Sequence, residues 1–159
     1  MYRRIRKIAD RIIDESFPLL KGKRIIFLVL RFRFYALSIL VPPRIRIIVI
    51  STRTKNFSDK IITGIIAHEL CHQERYIEMG TAAYIKFIAG YTFSNRIRTS
   101  EERLTDLRTI EKGYGAELYE LTLISHADKK HRNIIDNYLS PEEIKNHALK
   151  RGKWNQNGL

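Results

Sequence analysis

Cysteine is nearly absent. The single thiol, Cys71, rules out an intramolecular disulfide, and with it both a stapled secreted scaffold and a four-thiolate zinc site. A reducing, cytoplasmic setting is therefore expected. Long apolar runs are missing too: the longest uncharged stretches, 34–43 and 87–95, are half of the ~20 residues that a bilayer-spanning helix needs. The chain is expected to be soluble, with no transmembrane segment. Lys21, Lys23, Arg24, Arg31 and Arg33 interrupt the amino-terminal region before it takes signal-peptide form, and no small-residue cleavage site follows. Acids are scarce at one end. Residues 1–46 hold 12 bases and 3 acids, which supplies +9 of the net charge of +12.

What is present is globular in composition. With 44% hydrophobic and 29% charged residues, 159 residues suffice for one domain with a packed core and are too few for two. Ile5, Ile8, Ile12 and Ile13 recur at helical spacing and predict an amphipathic helix over 2–20. The runs 24–34 and 44–51, with 35–41 between them and Pro42-Pro43 as a break, suggest a small, mainly antiparallel sheet of two or three strands. Ser58 suits the N-cap of a helix over 58–79 that Gly80 ends. Further helices are expected over 81–93, 99–112, 116–125 and 130–139, with 95–98 as a link. Ser140-Pro141-Glu142-Glu143 then opens a last helix with N-cap, N1 proline and capping-box glutamate in order. The fold class is α+β: one domain with a core over about 24–115, a helical extension over 116–151 and a loose tail over 152–159.

The chemistry concentrates in Ile65-Ile66-Ala67-His68-Glu69-Leu70-Cys71-His72, a His-Glu-x-x-His sequence inside the 58–79 helix. Four apart on a helix, His68 and His72 project from one face and can take two corners of a tetrahedral zinc site, while Glu69 can reach a metal-held water without being a ligand. At this composition the pattern arises by chance about 0.01 times per chain, so coincidence is a poor account of it. Cys71 reads as a small packing residue. A zinc hydrolase needs a third protein ligand. Glu78 lies about 240° around the helix from His72 and faces away, so the third ligand comes from elsewhere. Glu102 and Asp106, at i and i+4 in the helix over 99–112, form a pair in which Glu102 can ligate while Asp106 holds the free ring nitrogen of a ligating histidine. The plainer reading of the same residues is a solvated first turn, with Thr99 and Glu102 as a capping box.

His-Glu-x-x-His on one helix and Glu-x-x-x-Asp on the next resembles the gluzincin metallopeptidases. The run from Glu101 through Asp106 and Leu107 to Gly113-Tyr114-Gly115 is similar to the glutamate helix of membrane-linked heat-shock and CAAX-processing peptidases. With no membrane segment here, the closer resemblance is to the soluble minigluzincins, and it covers about residues 24–115. The resemblance implies Zn2+ held by His68, His72 and Glu102, Glu69 as general base and acid, and Asp106 behind a histidine. It also implies a peptide or unfolded-protein substrate laid along a strand edge. The family's oxyanion-stabilising residue has Tyr114, Tyr119, His126 and His131 as candidates. A basic carboxy-terminal segment carrying His147 and Trp154 could fill the cleft and keep such an enzyme latent.

A second class of function is nucleic-acid binding through the basic residues 1–46, where Arg31-Phe32-Arg33-Phe34-Tyr35 interleaves cations with aromatics. No recognised nucleic-acid motif accompanies that charge, and a solvated basic face is the plainer reading. A DNA-associated metalloprotease would combine both classes and would draw a third histidine, His126 or His131.

Overall fold

The computed structural model describes residues 1–42, 44–128 and 135–154. The amino-terminal helix, α1 (Tyr2–Ser16), buries Ile5, Ile8, Ala9 and Ile12 along one stripe. It stops at Phe17, the residue before Pro18, because proline disfavours helical geometry in the residue preceding it. A 3-10 turn at Pro18–Leu20 leads to the sheet.

Strands β1 (Ile25–Leu30), β2 (Ala36–Val41) and β3 (Ile45–Ser51) lie in the order β1-β3-β2. The short connection after Val41 makes β2 and β3 an antiparallel hairpin with Ile39 opposite Ile47, whereas β1 runs parallel to β3 with Phe27 opposite Ile48. The sheet is thus mixed, where the sequence suggested a mainly antiparallel one. Side-chain alternation tells which residues share a face but not which strands are neighbours. The link over 31–35 steps across the end of β3 and is tied down there, the Ser51 amide donating to Tyr35 O (2.8 Å) and the Ser51 hydroxyl to Phe32 O (3.2 Å). The inner face buries Ile25, Phe27, Leu40, Ile48 and Ile50. The outer face carries aliphatic cross-strand rows, Ile26–Ile47–Ile39 and Leu28–Val49–Leu37.

Helix α2 (Asp59–Phe93) starts at Ser58, whose hydroxyl accepts from the Ile61 amide (3.3 Å). It is broken at Gly80 (φ 71°, ψ 169°), a backbone geometry essentially confined to glycine. Its first half runs through the core and closes on α4 (Gly115–Ala127) at Gly64, where a Cβ would stand 2.6 Å from Glu117 O. Helix α3 (Asn95–Glu111) begins earlier than the sequence suggested. The expected link 95–98 is its first turn, because Ser94 rather than Thr99 or Ser100 caps it, accepting from Ile97 N (3.4 Å). Helix α5 (Pro141–Lys150) has the capping box read from its sequence. Of the helix expected over 130–139, residues 130–134 lie outside the described residues, and Ile135–Asn137 form a 3-10 turn. No described helix is long and apolar enough to cross a membrane.

Candidate metal centre

Helices α2 and α3 bring three donor atoms together. Glu102 Oε2 lies 3.2 Å from His68 Nε2 and 3.5 Å from His72 Nε2, and the three atoms all fall within 4.8 Å of one another. Two donors about 2.0–2.1 Å from one tetrahedral ion stand about 3.3 Å apart, so this spacing fits one metal ion. All three residues are buried. The second carboxylate oxygen, Glu102 Oε1, is occupied by a hydrogen bond from the Tyr91 hydroxyl, which leaves Oε2 to face the histidines. Tyr91 stands on the part of α2 beyond Gly80, so the break in that helix is what brings a bracing group back to the site.

The face of α3 that supplies Glu102 also engages the far ring nitrogens. His68 Nδ1 is 3.0 Å from Asp106 Oδ1, while Asp106 Oδ2 accepts from the Leu139 amide (2.8 Å). His72 Nδ1 faces the Thr105 hydroxyl at 3.4 Å and Glu101 Oε1 at 4.0 Å. Two i, i+4 pairs, Glu102/Asp106 and Glu101/Thr105, therefore hold the two histidines in fixed orientation. Burial pushes the Glu102 carboxyl up, but His72 and His68 outweigh it by charge and hydrogen bonding and hold it well below the usual carboxylate range. Burial lowers the basicity of His68, yet hydrogen bonds to Asp106 and Glu102 overcome that and raise it well above an ordinary imidazole.

Glu69 is buried beside this group, and its Oε2 has no hydrogen-bond partner among the described residues. Burial raises its proton affinity, opposed by the charges of His72 and His68. Its backbone is tied to the sheet. The Ser38 hydroxyl donates to Glu69 O (3.1 Å), and the Gln73 amide nitrogen donates to Ser38 Oγ (2.8 Å) and to Ile39 O (3.1 Å). A cavity of about 620 Å³ opens beside the donors, and Phe34, Leu37, Ile65, Ile88, Leu118 and Leu121 are among the residues that line it. β2 forms the sheet edge there. Because Tyr35 O pairs with Ser51 in the register, Ala36, Ser38 and Leu40 turn their backbone groups outward, and the Leu40 amide is taken by the Tyr84 hydroxyl (3.1 Å).

The structure brings His68, Glu69, His72, Glu102 and Asp106 into one locus and separates other candidates from it. Tyr114 stacks on Phe17 (6.2 Å) and donates to Ser16 Oγ (3.1 Å), and Tyr119 packs edge-on to Trp154 (5.3 Å); neither lines the cavity. Trp154 is thereby seated away from the cleft. His126 lines the cavity, and His131 lies outside the described residues. Cys71 is a buried packing residue whose thiol is pushed up to about 12, chiefly by burial, and Glu78 pairs with Arg108 (2.8 Å). The capping-box reading of Glu102 fails, since Glu102 is buried within α3 and the Thr99 hydroxyl bonds Asn137 Oδ1 (2.6 Å). Sequence reasoning passed over Tyr91, Glu101 and Tyr138. The Tyr138 ring lies 5.9 Å from that of His68, and burial, with Glu102 and Tyr91 nearby, keeps its phenol protonated far above the usual range. Comparison with protein-family models, curated proteins and solved structures finds no match to this chain.

Proposed function

We propose that this chain is a zinc metallopeptidase of gluzincin type, with His68, His72 and Glu102 as ligands. The observation that carries the reading is one arrangement: a buried His/His/Glu donor set with a Glu69 oxygen at its side that has no hydrogen-bond partner among the described residues, and a strand edge along its cavity. A bound divalent ion supplies Lewis acidity for a scissile carbonyl and brings water toward a neutral pKa. Glu69 takes a proton from the attacking water as its oxygen joins the carbonyl carbon, and delivers that proton to the amine nitrogen as the C–N bond breaks. Tyr138, protonated and against His68, donates to the carbonyl oxygen as charge develops there. An extended peptide pairs with the outward groups of Ala36 and Ser38 and lays apolar side chains into the cavity, which favours unfolded chains and flexible loops.

Chelator-sensitive cleavage of an unfolded protein tests the reading. Glu69→Gln keeps metal and fold and loses turnover; His72→Ala and Glu102→Ala lose metal and activity together. Tyr138→Phe lowers kcat by about 100-fold with metal retained and KM little changed. Normal cleavage by Glu69→Gln, or full zinc affinity in Glu102→Ala, refutes the assignment.

A further inference from the structure

The sheet buries one face and leaves the other open. On the open side Leu28, Leu30, Leu37, Val41 and Ile45 are 39–52% exposed, and no residue between them on that face is polar along the Ile26–Ile47–Ile39 and Leu28–Val49–Leu37 rows. Contiguous exposed aliphatic faces are the usual mark of a contact surface. Its charge selects the partner. From Ser16 to Ser58 the chain has nine Lys or Arg residues and no Asp or Glu. Seven of them stand at the ends of the strands: Lys23, Arg24 and Arg44 at one end, Arg31, Arg33, Arg53 and Lys55 at the other. Of these seven, Arg53 alone makes an ion pair among the described residues, with Asp128. Phe32 and Phe34 lie between the cations at the second end, Phe34 being 39% exposed.

We infer that this face docks on an anionic lipid surface. Aliphatic side chains enter the outer acyl region, while the cations at both ends reach lipid phosphates and carboxylates and the phenylalanines sit at headgroup level. A second copy of the chain is a poor occupant, since it would set the same cations against one another with no acid between them. Nucleic acid would use the charge and leave the aliphatic rows facing polar groups. The cavity wall shares Phe34 and Leu37 with this surface, so docking sets the mouth of the metal centre beside the lipid. The inference does not depend on the chemistry at that centre.

Co-sedimentation of the full chain with vesicles tests it. The chain pellets with phosphatidylcholine vesicles containing about 30% phosphatidylserine and stays in solution with phosphatidylcholine alone. The double variant Leu28→Gln/Leu30→Gln changes only exposed positions of the outer face that do not line the cavity, so it keeps its circular dichroism and metal content while its partitioning falls roughly tenfold. Arg31→Gln/Arg33→Gln weakens binding as well, and more so at low salt. Failure to bind anionic vesicles overturns the inference. So does undiminished binding by the leucine variant, which would reduce the surface to a polyanion site such as nucleic acid, and so does a solution dimer that the leucine variant dissolves.

Discussion

Replacing Asp106 by asparagine keeps the side chain's shape and removes one of its two acceptors. In the native site Oδ1 faces His68 Nδ1 at 3.0 Å and Oδ2 accepts the Leu139 amide at 2.8 Å. An asparagine has one oxygen, and the Leu139 amide, a fixed donor, claims it. The NH2 group then points at His68 Nδ1, which can accept only if the ring proton moves to Nε2, the nitrogen that faces Glu102 and His72. Metal binding must reverse that tautomer and strand two donors against each other. The loss expected for such a change behind a ligand is about 10- to 100-fold in affinity, or roughly 1.4–2.7 kcal/mol. Competition for zinc against a chromophoric chelator measures it, with the thermal midpoint of the metal-free protein as a control for folding. Wild-type affinity in Asp106→Asn, alongside loss of zinc in His72→Ala, would show that Asp106 does not fix the imidazole and would refute the reasoning.

Other perturbations separate the supports of the fold from those of the site. Tyr91→Phe strips the hydrogen bond from Glu102 Oε1 and leaves a buried acceptor unpaired, so zinc affinity falls by about tenfold in the same titration. Gly64→Ala gains up to about 1 kcal/mol of helix propensity but sets a Cβ 2.6 Å from Glu117 O, an overlap costing about 1–3 kcal/mol; the melting midpoint falls by a few degrees, and a rise would refute the close α2–α4 contact. Glu143, which bonds Arg103 and caps α5, has its carboxyl held at about 2 instead of 4.5, so its contribution is present above pH ~4.5 and is lost as pH falls toward 2. Glu143→Gln therefore lowers stability by about 1 kcal/mol at neutral pH, and denaturant titrations of the two proteins converge near pH 2.

The histidine motif was legible because its meaning is local: a four-residue step on a helix puts His68 and His72 on one face wherever that helix packs. Glu102 and Asp106 were legible for the same reason, as an i, i+4 pair, although their burial was not. Glu101 escaped notice because its value lies in a neighbour from another helix, His72, and a glutamate beside two other charged residues looks solvated. Tyr91 and Tyr138 were hidden by geometry. One reaches the site only because Gly80 breaks the path of α2, and the other because the Leu139 amide anchors its segment to Asp106. The Ser38–Gln73 contact between strand and helix carries no periodic signature. In the fold, α1 follows from apolar spacing, although Pro18 ends it short of the expected Leu20, and α2 and α5 follow from spacing and caps, whereas the start of α3 turned on which of several adjacent hydroxyls would cap it. The parallel β1–β3 pair depended on a strand order that alternation does not encode.

The Tyr84 hydroxyl on the Leu40 amide has a consequence for length. With that position occupied, the stretch of β2 open to another chain shrinks to Ala36 through Ser38, about 7 Å of strand at 3.4 Å per residue. The two outward residues offer at most four backbone groups, each worth about 1 kcal/mol net once water is displaced. Under the proposed peptidase reading, so short a track would set the direction and frame of a guest segment while adding little to its affinity. A pentapeptide and a fifty-residue unfolded chain of matching local sequence should therefore be held about equally well per site, and the longer one gains only from the number of frames it presents.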